Sequence, residues 1–339
     1  MKKKMAIISI MVLMVILVTS VVGQCQAKQK VYNWEFFVYG QLDQADGAYL
    51  AEFADNVKES SEGRLVITCR TSGELPYKGQ DSLRIASDRS VELSDTIMNF
   101  FTNDLKIGSI PTWPLLCSSN EDLFKAMEIV QPYLAKRVKD FNAEEIFWWI
   151  IPAQRFWGKG KPIHKLSDLK NVKVRTSSMQ QQMFLRSETI KGIPVAMPST
   201  EVPTAMTRNL VQSAITGAYW ANVSKWDEFI DWGYPLPFGF SVRFVIVNSE
   251  ALAELPEDLK EILIEEGQKT QAKMNKEITL GDLDAIEELR QKGVQIIDPD
   301  PSDAKNGEEI MKPLWIKWAK EIGPEGEEVL AKIMEALGK

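Results

Sequence analysis

Few residues in this chain can carry covalent or metal chemistry. There is one histidine, His164, between Ile163 and Lys165 in a polar stretch, and there are three cysteines, Cys25, Cys69 and Cys117. A zinc site needs Cys and His clustered at short spacings, and a nucleophilic triad needs a histidine beside its serine or cysteine. Neither pattern occurs, and His164 reads as a surface residue. No GxGxxG or phosphate-cradling glycine loop is present. With 47 acidic residues, carboxylate pairs arise by chance and carry no hydrolase signal. The expectation is therefore no catalytic residue, no metal and no cofactor. Cys69 lies in the strand-like run Arg64–Arg70 and Cys117 follows the apolar segment Trp113–Leu116. In an exported protein these two form a disulfide or remain buried thiols, and the sequence leaves both open.

Export is indicated at the N-terminus. Lys2, Lys3 and Lys4 form a basic head, Ala6–Val22 carries no charge, and Gly23 and Ala27 supply small residues for cleavage. That order reads as a secretory signal peptide over residues 1–27. The alternatives are a single membrane anchor, or a lipid anchor at Cys25, which Gln24 fits poorly. Cleavage after Ala27 removes three lysines and no acid, so the formal charge moves from -7 to -10. An acidic surface argues against nucleic acid or anionic lipid as partner. The remaining ~310 residues are long for one core and suggest two lobes.

Any binding groups must be positioned by alternating strands and helices. Val31–Tyr39 and Leu65–Cys69 read as strands around a helix opened by Asp46 and closed by Gly63. A short helix from Gly79 leads to a strand at Val91–Met98, and a long helix over Glu121–Phe141 leads to a strand at Ile146–Ile151. A second block opens near Arg155. It has strands at Val172–Arg175, Ile193–Met197, Gln212–Thr216 and Arg243–Asn248, and helices from Ser178 and Ser199. This alternation implies a largely parallel α/β sheet. From Pro256 a helical pattern runs to about Lys292. That is about 36 residues and on the order of 54 Å, long enough to bridge two lobes. Val294–Ile297 returns as a strand before two amphipathic helices.

Four stretches, in this order, resemble the solute-binding proteins of tripartite ATP-independent periplasmic (TRAP) transporters, the C4-dicarboxylate-binding type. They are Ala51–Gly63 with Leu65–Cys69; Lys165–Arg175 (KLSDLKNVKVR), similar to the family's "DLKGLKIR"; Gly192–Val202 (GIPVAMPSTEV); and Val247–Leu259 (VNSEALAELPEDL). The resemblance covers nearly the whole chain after residue 27. It implies an α/β, two-lobe periplasmic binding protein fold, with a ligand cleft between lobes and one long helix crossing both. Lobe I is expected over 31–153 plus about 242–281, and lobe II over 154–241 plus about 282–339.

The resemblance also places a carboxylate-gripping arginine at Arg175 and a second at Arg155. A planar guanidinium offers two parallel donors to a carboxylate, which makes this pairing geometry-specific. Tyr39, Asp95 and Asn99 end strands of lobe I, where open α/β sheets bind ligands. Trp157 and Trp220 are placed to pack on a ligand's carbon skeleton. Arg243 is a further cation near the lobe crossing, available to a second carboxylate or to an acid in the hinge. The family's "GVVDG" turn stands here as Asn209–Ser213 without its acid and glycines. That reshapes the pocket edge near Thr216 and Tyr219 and weakens the transfer of dicarboxylate specificity. The glycine of "DLKG" is replaced by Asn171, the non-glycine residue that best tolerates a left-handed turn. The implied function is capture of a small organic acid in the periplasm, by a monomer, for the membrane subunits of a TRAP transporter. A ligand-sensing subunit and, more weakly, a secreted hydrolase are the alternatives.

Overall fold

The computed structural model describes residues 30–43, 45–101 and 104–339; the expected signal peptide and Cys25 lie outside them. The strands are β1 Tyr32–Val38, β2 Leu65–Thr71, β3 Leu93–Ile97, β4 Ala143–Gly158, β5 Lys173–Thr176, β6 Ile193–Ala196, β7 Ser213–Gly217, β8 Trp232–Asn248 and β9 Gln295–Ile296. The helices are α1 Ala45–Ser60, α2 Ser82–Ser87, α3 Asn120–Lys139, α4 Met179–Leu185, α5 Val202–Thr207, α6 Ala218–Val223, α7 Ser249–Glu254, α8 Glu257–Gln291, α9 Asp303–Ile322 and α10 Pro324–Leu337.

All nine strands among the described residues join one sheet in the order β2-β1-β3-β8-β4-β7-β5-β6, with β9 on β8. The two long strands make it a two-lobed sheet. β4 and β8 run antiparallel through both lobes. β3 pairs with the second half of β8, from Arg243 to Val247, and β7 pairs with the end of β4, from Gln154 to Gly158. Lobe I is thus built on β1–β3 and lobe II on β5–β7. The expected α/β two-lobe arrangement is present.

Helix α8, 35 residues long, is the second crossing element and packs on β4, α1 and α6. It opens on Glu257 and Asp258, whose charges suit the N-terminal end of the helix dipole. In lobe I the edge of β4 that faces away from β8 is covered by this helix. Gln271 Oε1 accepts from the Trp148 N–H at 3.0 Å, and Asn275 Oδ1 from the Ile150 N–H at 2.9 Å. Backbone donors that would otherwise be buried without partners are satisfied by helix amides. The close approach needs Gly267, since a Cβ there would stand 2.8 Å from Ile146 Cγ2.

The core lies on both faces of the sheet. On one, Trp34, Phe36, Phe53, Phe147 and Trp149 pack under α1 and the first half of α8. On the same face of lobe II, Trp157, Ala214, Met206 and Leu289 form a smaller cluster. The opposite face carries the largest cluster, where α3, α9 and α10 meet β4, β5 and β8. The last helix, α10, packs on α3, and α9 packs on α10; the expected lobe division had placed α3 in the other lobe. The reason is apolar complementarity: Leu123, Met127, Val130 and Leu134 share one buried cluster with Trp315, Leu330 and Ile333. Cys69 and Cys117 are free thiols, the second fully buried. Asn171 adopts φ 60°, the left-handed turn expected of it.

Candidate ligand-binding cleft

The register shows where the lobes face each other. β1–β3 run toward the molecule's middle from one side and β5–β7 from the other. β3 ends with Ile97 opposite Arg243, which is itself opposite Trp149 of β4; β7 ends with Gly217 opposite Gln154. Both sets of strand ends therefore meet over Trp149–Gln154, six residues or about 17 Å of strand. β4 carries register shifts between Ile151 and Gln154, at the centre of this span. A cavity of 570 Å³ opens here, lined among others by Asn99, Lys106, Gln154, Ser177, Gln181 and Phe240. A smaller one, 150 Å³, lies on the α8 side between Asp46, Tyr49, Pro152, Tyr219, Trp220 and Glu277.

Arg175 sits near the end of β5, two residues before Ser177 of the larger cavity, and itself lines neither cavity. It is 5% exposed. Its Nε donates to the Met197 carbonyl at 3.0 Å and its Nη1 to the Ile215 carbonyl at 2.9 Å. Two carbonyls, one just past the end of β6 and one within β7, thus hold the side chain. No carboxylate among the described residues pairs with it. Burial pushes the guanidinium down to about 10, with no acid to hold it up. A buried cation satisfied only by neutral carbonyls is a poor solution for stability and a good one for an incoming anion.

The other two buried arginines have their own acids. Arg155 Nη1 lies 2.7 Å from Asp282 Oδ2 of α8 and also donates to the Ala153 carbonyl. Its Nε is sealed without a partner. Burial raises the Asp282 carboxyl against the pull of Arg155. Arg243 reaches two acids: Nη1 meets Asp46 Oδ2 at 2.8 Å, and Nε and Nη2 grip Asp95. Nη2 also donates to the Tyr39 carbonyl, and the guanidinium carbon lies 5.1 Å from the Trp149 ring centre. Burial pushes the Asp95 carboxyl up to about 6 despite Arg243. Arg155, expected at the ligand, is thus paired with Asp282, and Arg243 takes the second of its two expected roles by pairing with Asp95, itself expected at the ligand, and with Asp46. The physical reason is that a buried charge without a partner is far more costly than a paired one.

Of the remaining expected residues, Asn99 lines the larger cavity and Trp220 the smaller. Tyr39 stands at the lobe I rim, its ring edge-on to Phe100 with centroids 5.3 Å apart. Thr216 is half-buried, and its carbonyl accepts from Trp157 Nε1 at 3.0 Å. Trp157 itself is fully buried in the lobe II core and lines neither cavity. It lies flat over Gly233 of the neighbouring strand, a slot that only the missing side chain opens. Sequence reasoning missed Gln154, Gln181, Ser177 and Ser178. Gln181 donates through Nε2 to Gln154 Oε1 and accepts from the Ser177 N–H at 2.8 Å. Ser178 caps α4 by accepting from the Gln181 N–H at 3.2 Å. The only available signal was position: Ser177 and Ser178 follow the end of β5, Gln181 lies in the helix after it, and Gln154 stands opposite Gly217 at the end of β7.

A model of bacterial extracellular solute-binding proteins, family 7 (DctP), matches residues 41–321. A solute-binding protein of Albidiferax ferrireducens is 22% identical over 167 residues, 48% of this chain and 49% of that protein. The chain thus spans about half the length of the curated relative it matches. Among solved structures, DctP7 of Bordetella pertussis, an extracytoplasmic solute receptor binding pyroglutamic acid, superposes with a TM-score of 0.80 at 21% identity, over 89% of this chain and 99% of that one. A TRAP periplasmic solute-binding protein of Chromohalobacter salexigens with bound D-glucuronate gives 0.79 at 17% identity, over 89% and 99%. At these identities the superpositions show the fold.

Proposed function

The chain belongs to the bacterial extracellular solute-binding proteins of family 7, and from that premise we propose that it captures a small organic acid anion and delivers it to the membrane subunits of a TRAP transporter. It works outside the cytoplasmic membrane, after loss of residues 1–27, as a monomer and without catalysis. The observation that carries this reading is Arg175. It is buried, held by two backbone carbonyls and has no acidic partner among the described residues. A carboxylate arriving at this guanidinium gains charged hydrogen bonds worth about 1.5–3 kcal/mol each in a site that sheds water.

The ligand's body then lies among Asn99, Gln154, Ser177 and Ser178 at the cavity wall. Thr216 and Trp220 follow on β7 and α6 as the lobe II side of the cleft. Closure is a hinge about β4, β8 and α8, the only elements among the described residues that run through both lobes. The acids named for two relatives, pyroglutamate and glucuronate, support a carboxylate as the recognised group.

A thermal-shift screen of organic acids tests the proposal. At a hundredfold excess over the dissociation constant, a ligand should stabilise the fold by about 2.7 kcal/mol. If sugars or organic cations raise the melting temperature while no carboxylate does, the reading fails.

A further inference from the structure

Building on the carboxylate reading above, we infer that Asp282 sets the charge of the ligand. By neutralising Arg155 it leaves Arg175 as the one buried guanidinium without an acid among the described residues. The cleft then accepts a small acid with one carboxylate and an uncharged hydrogen-bonding group where a dicarboxylate has its second.

The buried charges around the strand crossing decide this. Arg155 and Asp282 cancel, and each is nearly sealed, with side chains 7% and 3% exposed. Arg243 faces two carboxylates, Asp46 and Asp95, and so carries no surplus positive charge. Arg175 alone remains. A second ligand carboxylate would find no free buried cation and would approach an excess of protein carboxylate. The cationic side chains on the larger cavity, Lys106 and Lys317, are exposed at its rim, and Lys317 stands 4.0 Å from Glu321. Exposed charges of this kind attract weakly.

Uncharged donors are present instead. Gln154 Oε1 already accepts from Gln181, and Asn99 Oδ1 accepts from Ser241 Oγ. Both amides line the cavity with their oxygens taken, so each keeps an NH2 group for a hydroxyl, keto or amide oxygen of the ligand. Asp282 is a positioning residue in this scheme: it acts through Arg155, and it also accepts from the Tyr219 N–H at the start of α6.

Matched acids test the inference by calorimetry: succinamate against succinate, glutaramate against glutarate, and galacturonate against galactarate. The single acids should bind the wild-type protein at least tenfold more tightly than their diacid partners. In Asp282→Asn, which frees the Arg155 charge but keeps an acceptor for Tyr219, that preference should shrink at least tenfold. A diacid that binds the wild type as tightly as its partner overturns the inference and leaves the anion-capture proposal standing. So does an unchanged preference in Asp282→Asn. If that variant fails to fold, the neutral pair R155M/D282N takes its place. It should keep wild-type affinity for the single acids within a few-fold, and loss of their binding would assign Arg155 to the ligand and refute the inference. If sugars or organic cations bind the folded wild type while no carboxylate does, the anion reading falls and this inference with it.

Discussion

Arg155 Nη1 lies 2.7 Å from Asp282 Oδ2, and this one contact joins β4, one of the two strands that cross both lobes, to α8, the helix that crosses both. The pair closes at the lobe II side of the crossing, where β4 meets β7. It accounts for two charges that the molecule could not otherwise bury, and it separates Arg155 in role from Arg175, twenty residues later on the same face of the sheet.

The first prediction concerns that pair's energetics. Removing one partner leaves a buried charge exposed to nothing, so Arg155→Ala should cost about 3–5 kcal/mol. Removing both charges in R155M/D282N should be close to neutral, because desolvation of the pair offsets most of its attraction. Urea denaturation of the two variants beside the wild type measures this. A single variant no less stable than the double would show that the pair is not buried in solution.

Arg175 should behave in the opposite way. Arg175→Ala leaves the Met197 and Ile215 carbonyls without donors, a cost of about 1–3 kcal/mol that a folded domain tolerates. It also removes the fork that holds the ligand, and carboxylate affinity should fall at least a hundredfold, equivalent to about 2.8 kcal/mol. Arg175→Lys keeps the charge but not the two parallel donors and should lose about tenfold. Calorimetry reads both variants; near-wild-type affinity in the alanine variant would remove Arg175 from the site.

Much of this architecture was legible in the sequence because its signals are local. The α8 pattern from Pro256 to about Lys292 differs from the helix Glu257–Gln291 by one residue at each end, since capping and periodicity act within a few turns. β8 was legible only from Arg243 onward. Its first half, Trp232–Gly239, contains Pro235, Pro237, Gly233 and Gly239, which a propensity reading takes for loop. Sheet pairing to β4 overrides that preference. Arg175 was marked by a resemblance, whereas the acids that occupy Arg155 and Arg243 come from Asp282, Asp46 and Asp95. These lie 127, 197 and 148 residues from their partners. No periodicity encodes such contacts, so the state of each arginine became readable only once the strands and α8 were placed. Gln154 and Gln181 were missed because neutral amides carry no sequence signature of a site.

Glu145 predicts a pH dependence. Its Oε1 accepts from Gln131 Nε2 at 3.1 Å while Oε2 is sealed without a partner. Burial pushes the carboxyl up to about 7 from its ordinary 4.5. The folded chain therefore holds this proton more tightly than the unfolded one. The stabilisation is complete below about pH 4.5 and is lost as pH rises through about 7. Glu145→Gln should abolish that loss, raising stability by about 3 kcal/mol at pH 8 and by less than about 1 kcal/mol at pH 5. Melting curves across this range decide it, and an equal effect at both pH values would show a carboxylate in contact with water.

Packing gives the last prediction. In β4 and β8, Trp157 stands opposite Gly233 and Gly158 opposite Trp232, so each indole covers the glycine of the other strand. Both tryptophans are almost completely buried. A Cβ on Gly233 would lie 2.4 Å from Trp157 Cζ3, and one on Gly158 would lie 2.1 Å from Trp232 Cζ2. Neither ring has room to retreat, because Trp157 is enclosed by the Met206 and Leu289 cluster and Trp232 by the largest core. Gly233→Ala and Gly158→Ala should each destabilise by about 1–3 kcal/mol, the usual range for an overpacked core. The loss should reach affinity too, because β4 runs from Gly158 through Arg155 to Gln154 at the cavity wall. Denaturation midpoints and ligand titration on the same variants test both parts. Full stability in Gly233→Ala would mean that the Trp157 ring does not lie on the β8 backbone, and the paired register of the two crossing strands would have to be redrawn.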